Sequence, residues 1–207
     1  MIQLLMNAAM VGDTWVIILL LLASLLSVAI MYERWRLFRA GKVDLAALMD
    51  GIAACLGRHD VEGALALARK SESVEGRVAA AGIEQFPKGP AAVEEVMTSR
   101  VIQERLALER NLIVLGTLGN NAPFLGLFGT VLGIIKAFHD LALSGSAGAS
   151  VVMAGISSAL ICTALGILVA LPAVIANNSF QSLLKRRMSN SESLSRILLG
   201  YLKTEKP

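Results

Sequence analysis

From Leu141 to Leu184 the chain carries no charged residue, a run of about 44 residues that as one helix would reach about 66 Å, roughly twice the hydrocarbon thickness of a bilayer. One crossing cannot use all of it. Either the helix leaves the membrane near Asn177 and Asn178, or other subunits cover much of its length. A second apolar segment, Gly116 to Phe138, precedes it, and the only charge within that segment is Lys136. The 55% hydrophobic content exceeds the roughly 45–50% of soluble domains, and the mean hydropathy is +0.65. The chain reads as an integral membrane protein built on a hairpin of two apolar segments, Gly116–Phe138 and Val151–Asn178.

Within the first segment Gly119, Ala122, Gly126, Gly129 and Gly133 recur at steps of three and four, which places them on one helix face. In hydrocarbon there is no hydrophobic drive between helices, so such a stripe lets two backbones approach and gain dispersion contacts. Gly155, Gly166 and Pro172 on the second segment, with Pro123 on the first, complete the expected packing positions. Pro123 should free one backbone carbonyl and bend its helix.

Each segment also repeats one pentad, Thr130-Val-Leu-Gly-Ile134 and Thr163-Ala-Leu-Gly-Ile167, which sets a hydroxyl in an otherwise apolar span. A threonine in a membrane helix commonly bonds to the carbonyl one turn back and does no more. Two of them in the same pentad on consecutive antiparallel helices point to a shared polar lining. Asn120, Asn121, Ser157 and Ser158 add polar groups on the same helices. A hydroxyl or amide relays a hydrogen bond without titrating near neutral pH. If the hairpin lines a proton path, the titrating carboxylate is expected from another chain.

Trp15 to Met31 is apolar and is followed at once by Glu33-Arg-Trp-Arg-Leu-Phe-Arg39. Residues 1–12 hold no Lys or Arg, and the basic cluster follows the apolar run, the reverse of a secretory signal. The reading is an uncleaved anchor. Arg34, Arg36, Arg39 and Lys42 hold the following segment inside, as Lys185, Arg186 and Arg187 hold the C-terminal segment, so the topology is N-out and C-in. The expected order is an extracytoplasmic N-terminus (1–12), a first transmembrane helix (13–32), a cytoplasmic helical domain (33–110), a second transmembrane helix (111–138), an extracytoplasmic turn (139–150), a third transmembrane helix (151–178) and a cytoplasmic C-terminal helix (179–207). Inside 33–110, helices are expected over Val43–Leu56, from Asp60 as cap through Lys70, and over Val74–Phe86, stopped by Pro87-Lys-Gly-Pro90. Ala91 to Leu115 reads as one amphipathic helix that enters the membrane without interruption.

Other function classes find little support. The net charge of +3 is explained by basic residues flanking the spans, so nucleic acid is not an expected partner. Cys55, Cys162, His59 and His139 lack disulfide or metal-ligand spacing, and no metal or cofactor is expected. No phosphate loop and no nucleophile and base combination marks an enzyme.

Two stretches carry a resemblance: Ala122-Pro-Phe-Leu-Gly-Leu-Phe-Gly-Thr-Val-Leu-Gly-Ile134 and Gly155-Ile-Ser-Ser-Ala-Leu-Ile-Cys-Thr-Ala-Leu-Gly-Ile-Leu-Val-Ala-Leu-Pro-Ala-Val-Ile-Ala-Asn177. In these the sequence resembles the MotA/TolQ/ExbB proton-channel family, most closely its ExbB and TolQ branch. The resemblance implies an all-α fold and a homopentameric ring in a bacterial inner membrane, with the second and third helices around a central pore. It also implies a dimeric, single-span ExbD- or TolR-like partner in that pore, and H+ as the transported ion. Proton flow would then drive an envelope process through a TonB- or TolA-like protein, or gliding motility. On this mapping Thr130 and Thr163 match pore threonines that face the partner's aspartate. Ser158 stands where the branch usually has glutamate, so the membrane carboxylate of this subunit is expected to be missing. The competing reading is a scaffold that anchors a single-span partner without conducting.

Overall fold

The computed structural model describes residues 13–41, 43–144 and 148–204, and all regular structure among them is helical. The expected N-terminal segment 1–12, residues 145–147 of the expected external turn and residues 205–207 lie outside the described residues. In chain order the helices are α1 (Thr14–Ala40), α2 (Leu45–Leu56), α3 (Val61–Lys70), α4 (Val74–Ile83), a 3-10 turn (Phe86–Lys88), α5 (Pro90–Glu109), α6 (Leu112–Ser144) and α7 (Gly148–Thr204). Three of them, α1, α6 and α7, contain stretches long and apolar enough to cross a membrane. α6 continues past Phe138 to Ser144, and α7 runs unbroken to Thr204. The chain divides into two compact units, Met1–Tyr32 with Ile113–Asn178 and Glu33–Leu112 with Ser179–Pro207.

The first unit holds the apolar parts of α1, α6 and α7. α1 starts after Asp13, whose carbonyl accepts from the amides of Val16 (3.0 Å) and Ile17 (3.1 Å). Val16 and Leu20 of α1, Ala122 and Leu132 of α6, and Val169 and Ala170 of α7 form one buried cluster. Trp15 meets Phe128 edge to face at 6.1 Å. Large apolar side chains also point outward, with Leu25, Phe124 and Leu168 at 73%, 68% and 66% exposure. Such a surface carries a penalty in water but none in hydrocarbon or against a neighbouring subunit. Both prolines, Pro123 and Pro172, lie inside continuous helices; neither can donate to the carbonyl one turn back.

The second unit gathers the charged part of the chain. Each of its short helices has a capped start: Asp44 accepts from the Ala47 amide at 3.2 Å, Asp60 from Gly63 at 2.8 Å and Ser73 from Gly76 at 3.0 Å. Between α2 and α3, His59 takes a left-handed φ of 58°. α4 ends at Ile83, short of the expected Phe86. Pro87 has no amide hydrogen to give the Ile83 carbonyl and its ring crowds that oxygen, and the chain tightens into the 3-10 turn instead.

The expected uninterrupted helix from Ala91 to Leu115 is corrected by a break at Arg110 and Asn111, between α5 and α6. Arg34, only 3% exposed, donates from Nη1 to the carbonyls of Ala107 (3.3 Å) and Leu108 (3.1 Å). In a continuous helix these carbonyls would accept from Asn111 and Leu112. The guanidinium takes that place, and the Asn111 side chain donates to Glu33 at 2.6 Å. The hydrogen bonds from Arg34 and Asn111 hold the Glu33 carboxyl below its ordinary range.

Glu104 on α5 is bound by Arg77 of α4 through two bonds of 2.8 and 2.6 Å and by Arg100 at 2.8 Å. Burial pushes its carboxyl up, but the hydrogen bond and charge of Arg77, with those of Arg100, outweigh it and hold the group below the usual range. Arg187 of α7 donates to the Phe38 carbonyl at 2.8 Å and lies over the Phe38 ring, which itself stacks on Phe180. The basic residues read from sequence as topological anchors therefore also satisfy backbone carbonyls inside this unit.

Candidate functional site

All of the candidate positions lie in the first unit, where α6 and α7 run side by side. The approach is closest where glycine faces backbone. A Cβ added to Gly126 would lie 2.6 Å from the Cys162 carbonyl oxygen and 3.1 Å from the Cα atoms of Gly166 and Thr163. One added to Gly166 would lie 2.7 Å from the Ala122 carbonyl oxygen. Gly119 faces Val174, Gly129 faces Cys162 and Val16, Gly133 faces Ala159, and Gly155 faces Ala137. The stripe thus forms the contact between the two helices of one chain, with α1 joining at Val16.

At this closest approach the two threonine hydroxyls touch. Thr130 Oγ1 lies within hydrogen-bond reach of the Gly126 carbonyl (3.1 Å), the Ala159 carbonyl (3.3 Å) and Thr163 Oγ1. Thr163 Oγ1 also reaches the Gly126 carbonyl, at 3.4 Å. Each hydroxyl has one proton to give. Either Thr163 donates to Thr130, which donates to Ala159 or Gly126, or Thr130 donates to Thr163, which donates to Gly126. Rotation of the hydroxyls interchanges the two arrangements with no helix movement. Such a pair passes a hydrogen bond in either direction and stores no charge. Both residues are half-buried, so the pair is neither sealed in the packing nor fully open.

The remaining polar groups are dispersed. Asn121 donates to the Thr117 carbonyl at 2.8 Å on its own helix, and Asn120 is exposed. Asn177 lies against Gly116, and its buried Oδ1 has no hydrogen-bond partner. Ser158 is one residue before Ala159 and is exposed.

Ser158 has a partner that sequence reasoning missed. Its Oγ donates to Asp13 Oδ2 at 2.9 Å, and the Cys162 thiol lies 3.7 Å from the same oxygen. Position 158 carries no carboxylate of its own, but one from the start of α1 stands beside it. The partners are 145 positions apart, and no local pattern links them. The available signal was an acid standing directly before an uncharged span.

The profile of the MotA/TolQ/ExbB proton channel family matches residues 70–193. This chain belongs to that family. The matched stretch takes in Thr130, Ser158 and Thr163 and leaves out α1 with Asp13. Among relatives, the chain is 32% identical over 191 residues to the Tol-Pal system protein TolQ of Pseudomonas aeruginosa, covering 87% of this chain and 82% of that one. It is 50% identical over 74 residues to a biopolymer transport protein ExbB of Helicobacter pylori, covering 36% of this chain and 51% of that one. A Pseudomonas putida ExbB is 42% identical over 87 residues, covering 42% of this chain and 26% of that one. The chain thus spans about half the length of the Helicobacter relative and about a quarter of that of the P. putida relative. These matches support the ExbB and TolQ branch, and a membrane protein of a transport family rather than an enzyme family.

Proposed function

We propose that this chain is the wall-forming subunit of an inner-membrane proton channel that acts as a stator, converting proton-motive force into work on an envelope process. The observation that carries this reading is the Thr130 and Thr163 pair, two hydroxyls in contact at the narrowest part of an otherwise apolar helix seam. A hydroxyl pair lowers the barrier for a proton crossing hydrocarbon by solvating it in transit, but it holds no proton at neutral pH. A single-span partner of the ExbD or TolR kind, with an acid in its membrane helix, would provide the moving carrier. Copies of this chain, five by the resemblance, would enclose it, and the outward apolar side chains of α6 and α7 would meet neighbouring copies, the partner and lipid.

The test is proton uptake by vesicles that contain the complex isolated from its native membrane. Thr130→Val and Thr163→Val keep the shape of the side chain and remove the hydroxyl, so both are expected to assemble normally and to lose uptake. A passive scaffold would tolerate both. Unchanged function in both variants, with the helix seam intact, would overturn the channel reading. A robust gated current from the purified chain alone would overturn the assignment of the carrier to a partner.

A further inference from the structure

We propose that Asp13, held by Ser158, is a proton-loading group of this chain, placed ahead of the threonine pair on the same path; this rests on the channel reading above. Asp13 directly precedes the uncharged stretch of α1 that runs from Thr14 to Tyr32. Its carboxylate turns toward α7, where it accepts from Ser158 at 2.9 Å and contacts the Cys162 thiol at 3.7 Å. Its Cβ lies 3.7 Å from the position a Cβ would take on Gly133 of α6. Three helices therefore converge on one acid. The titratable group facing it from α7 is Cys162; on α6 the first charged residue beyond Gly133 is Lys136, and on α1 it is Glu33.

The residues that hold the carboxylate are sequence neighbours of those in the threonine network. Ala159, next to Ser158, provides a carbonyl that accepts from Thr130. Cys162 adjoins Thr163 in sequence and packs on Gly129. From Ser158 to Thr163 the axial rise is about 7.5 Å, so the proposed path requires hydrogen-bonded water between them. The flanking charges put the start of α1 on the outer side. In the proposed step the Asp13 carboxylate takes a proton from the outer water, becomes the neutral acid, and gives that proton to the water and hydroxyl chain. It returns to the carboxylate, one proton in and one out. Ser158 positions the oxygen, and its hydroxyl accepts from the acid form as readily as it donates to the carboxylate.

The experiment compares proton uptake by vesicles holding the native complex in four forms: wild type, Asp13→Asn, Asp13→Glu and Thr130→Val. Asp13→Asn keeps an acceptor for Ser158 and removes the ionisable group, so uptake is expected to fall about a hundredfold or more, the range of a lost acid–base group. Asp13→Glu is expected to retain most of it, and infrared spectra of Asp13→Asn should lack one carboxyl band that titrates in the wild type. Wild-type uptake by Asp13→Asn alongside loss in Thr130→Val would overturn this inference and leave the channel reading standing. An unchanged set of titrating carboxyl bands in Asp13→Asn would also overturn it. A wild-type complex that takes up no protons would overturn both.

Discussion

Gly126→Ala adds one carbon where α6 and α7 are closest, and the structure sets its cost. The new Cβ would lie 2.6 Å from the Cys162 carbonyl oxygen, with two Cα atoms at 3.1 Å. All of these are backbone atoms, so no side-chain rotation relieves the contact. To reach ordinary van der Waals separation, beginning at 3.4 Å, the helices must part by about 0.8 Å at this level. A gap of that size forfeits a quarter to a half of the dispersion well at each neighbouring contact, and in a membrane little else holds the helices together. Overpacking of this kind costs about 1–3 kcal/mol, against a gain of about 0.5–1 kcal/mol from replacing a helical glycine by alanine. The net expectation is a loss of up to about 2.5 kcal/mol. Gly200, also inside α7, has nothing within 4 Å of its added Cβ, so Gly200→Ala should gain about 0.5–1 kcal/mol. Unfolding in detergent, followed by circular dichroism and by Trp15 fluorescence in a Trp35→Phe background, measures both. If Gly126→Ala stabilises as Gly200→Ala does, the close-packed seam is not what holds these helices.

Other consequences concern the second unit. The Glu104 carboxyl is held below its ordinary range, so its contribution to stability is fully present above about pH 4.3 and is lost as pH falls through the depressed value. Glu104→Gln should lower stability at neutral pH by about 1–3 kcal/mol and flatten the acid limb of denaturation midpoints plotted against pH; a limb unchanged from wild type would contradict this. Arg34→Met removes the Nη1 donor to the Ala107 and Leu108 carbonyls, with an expected loss of about 1.5–3 kcal/mol in the same denaturation experiment. His59 occupies the left-handed region at φ 58°, so a β-branched residue there should lower stability by about 1–2 kcal/mol in the same denaturation experiment.

Much of this architecture is legible from residue order alone. Charge-free runs longer than a bilayer is thick, flanked by arginine and lysine, leave an all-helical membrane chain as the outcome, because only helices and closed barrels satisfy every backbone group in hydrocarbon. The capped start of α3 follows from Asp60, since a cap is a contact across three residues and needs no tertiary knowledge, whereas Asp44, read as part of a helix from Val43, caps α2 from outside it. The threonine pentads are visible as a repeat, and the glycine stripe as a spacing.

Tertiary structure alone decided which of these groups meet. The break at Arg110 and Asn111 depends on a guanidinium 73 and 74 positions away from the carbonyls it takes, and the sequence there reads as unbroken helix. Asp13 lies 145 positions from Ser158, and nothing local to either residue announces the other. Local order sets which backbone groups are satisfied within a turn, and so fixes helices and caps. The partner of a side chain on the far side of a helix bundle depends on how three helices pack, and that is written only in the folded chain.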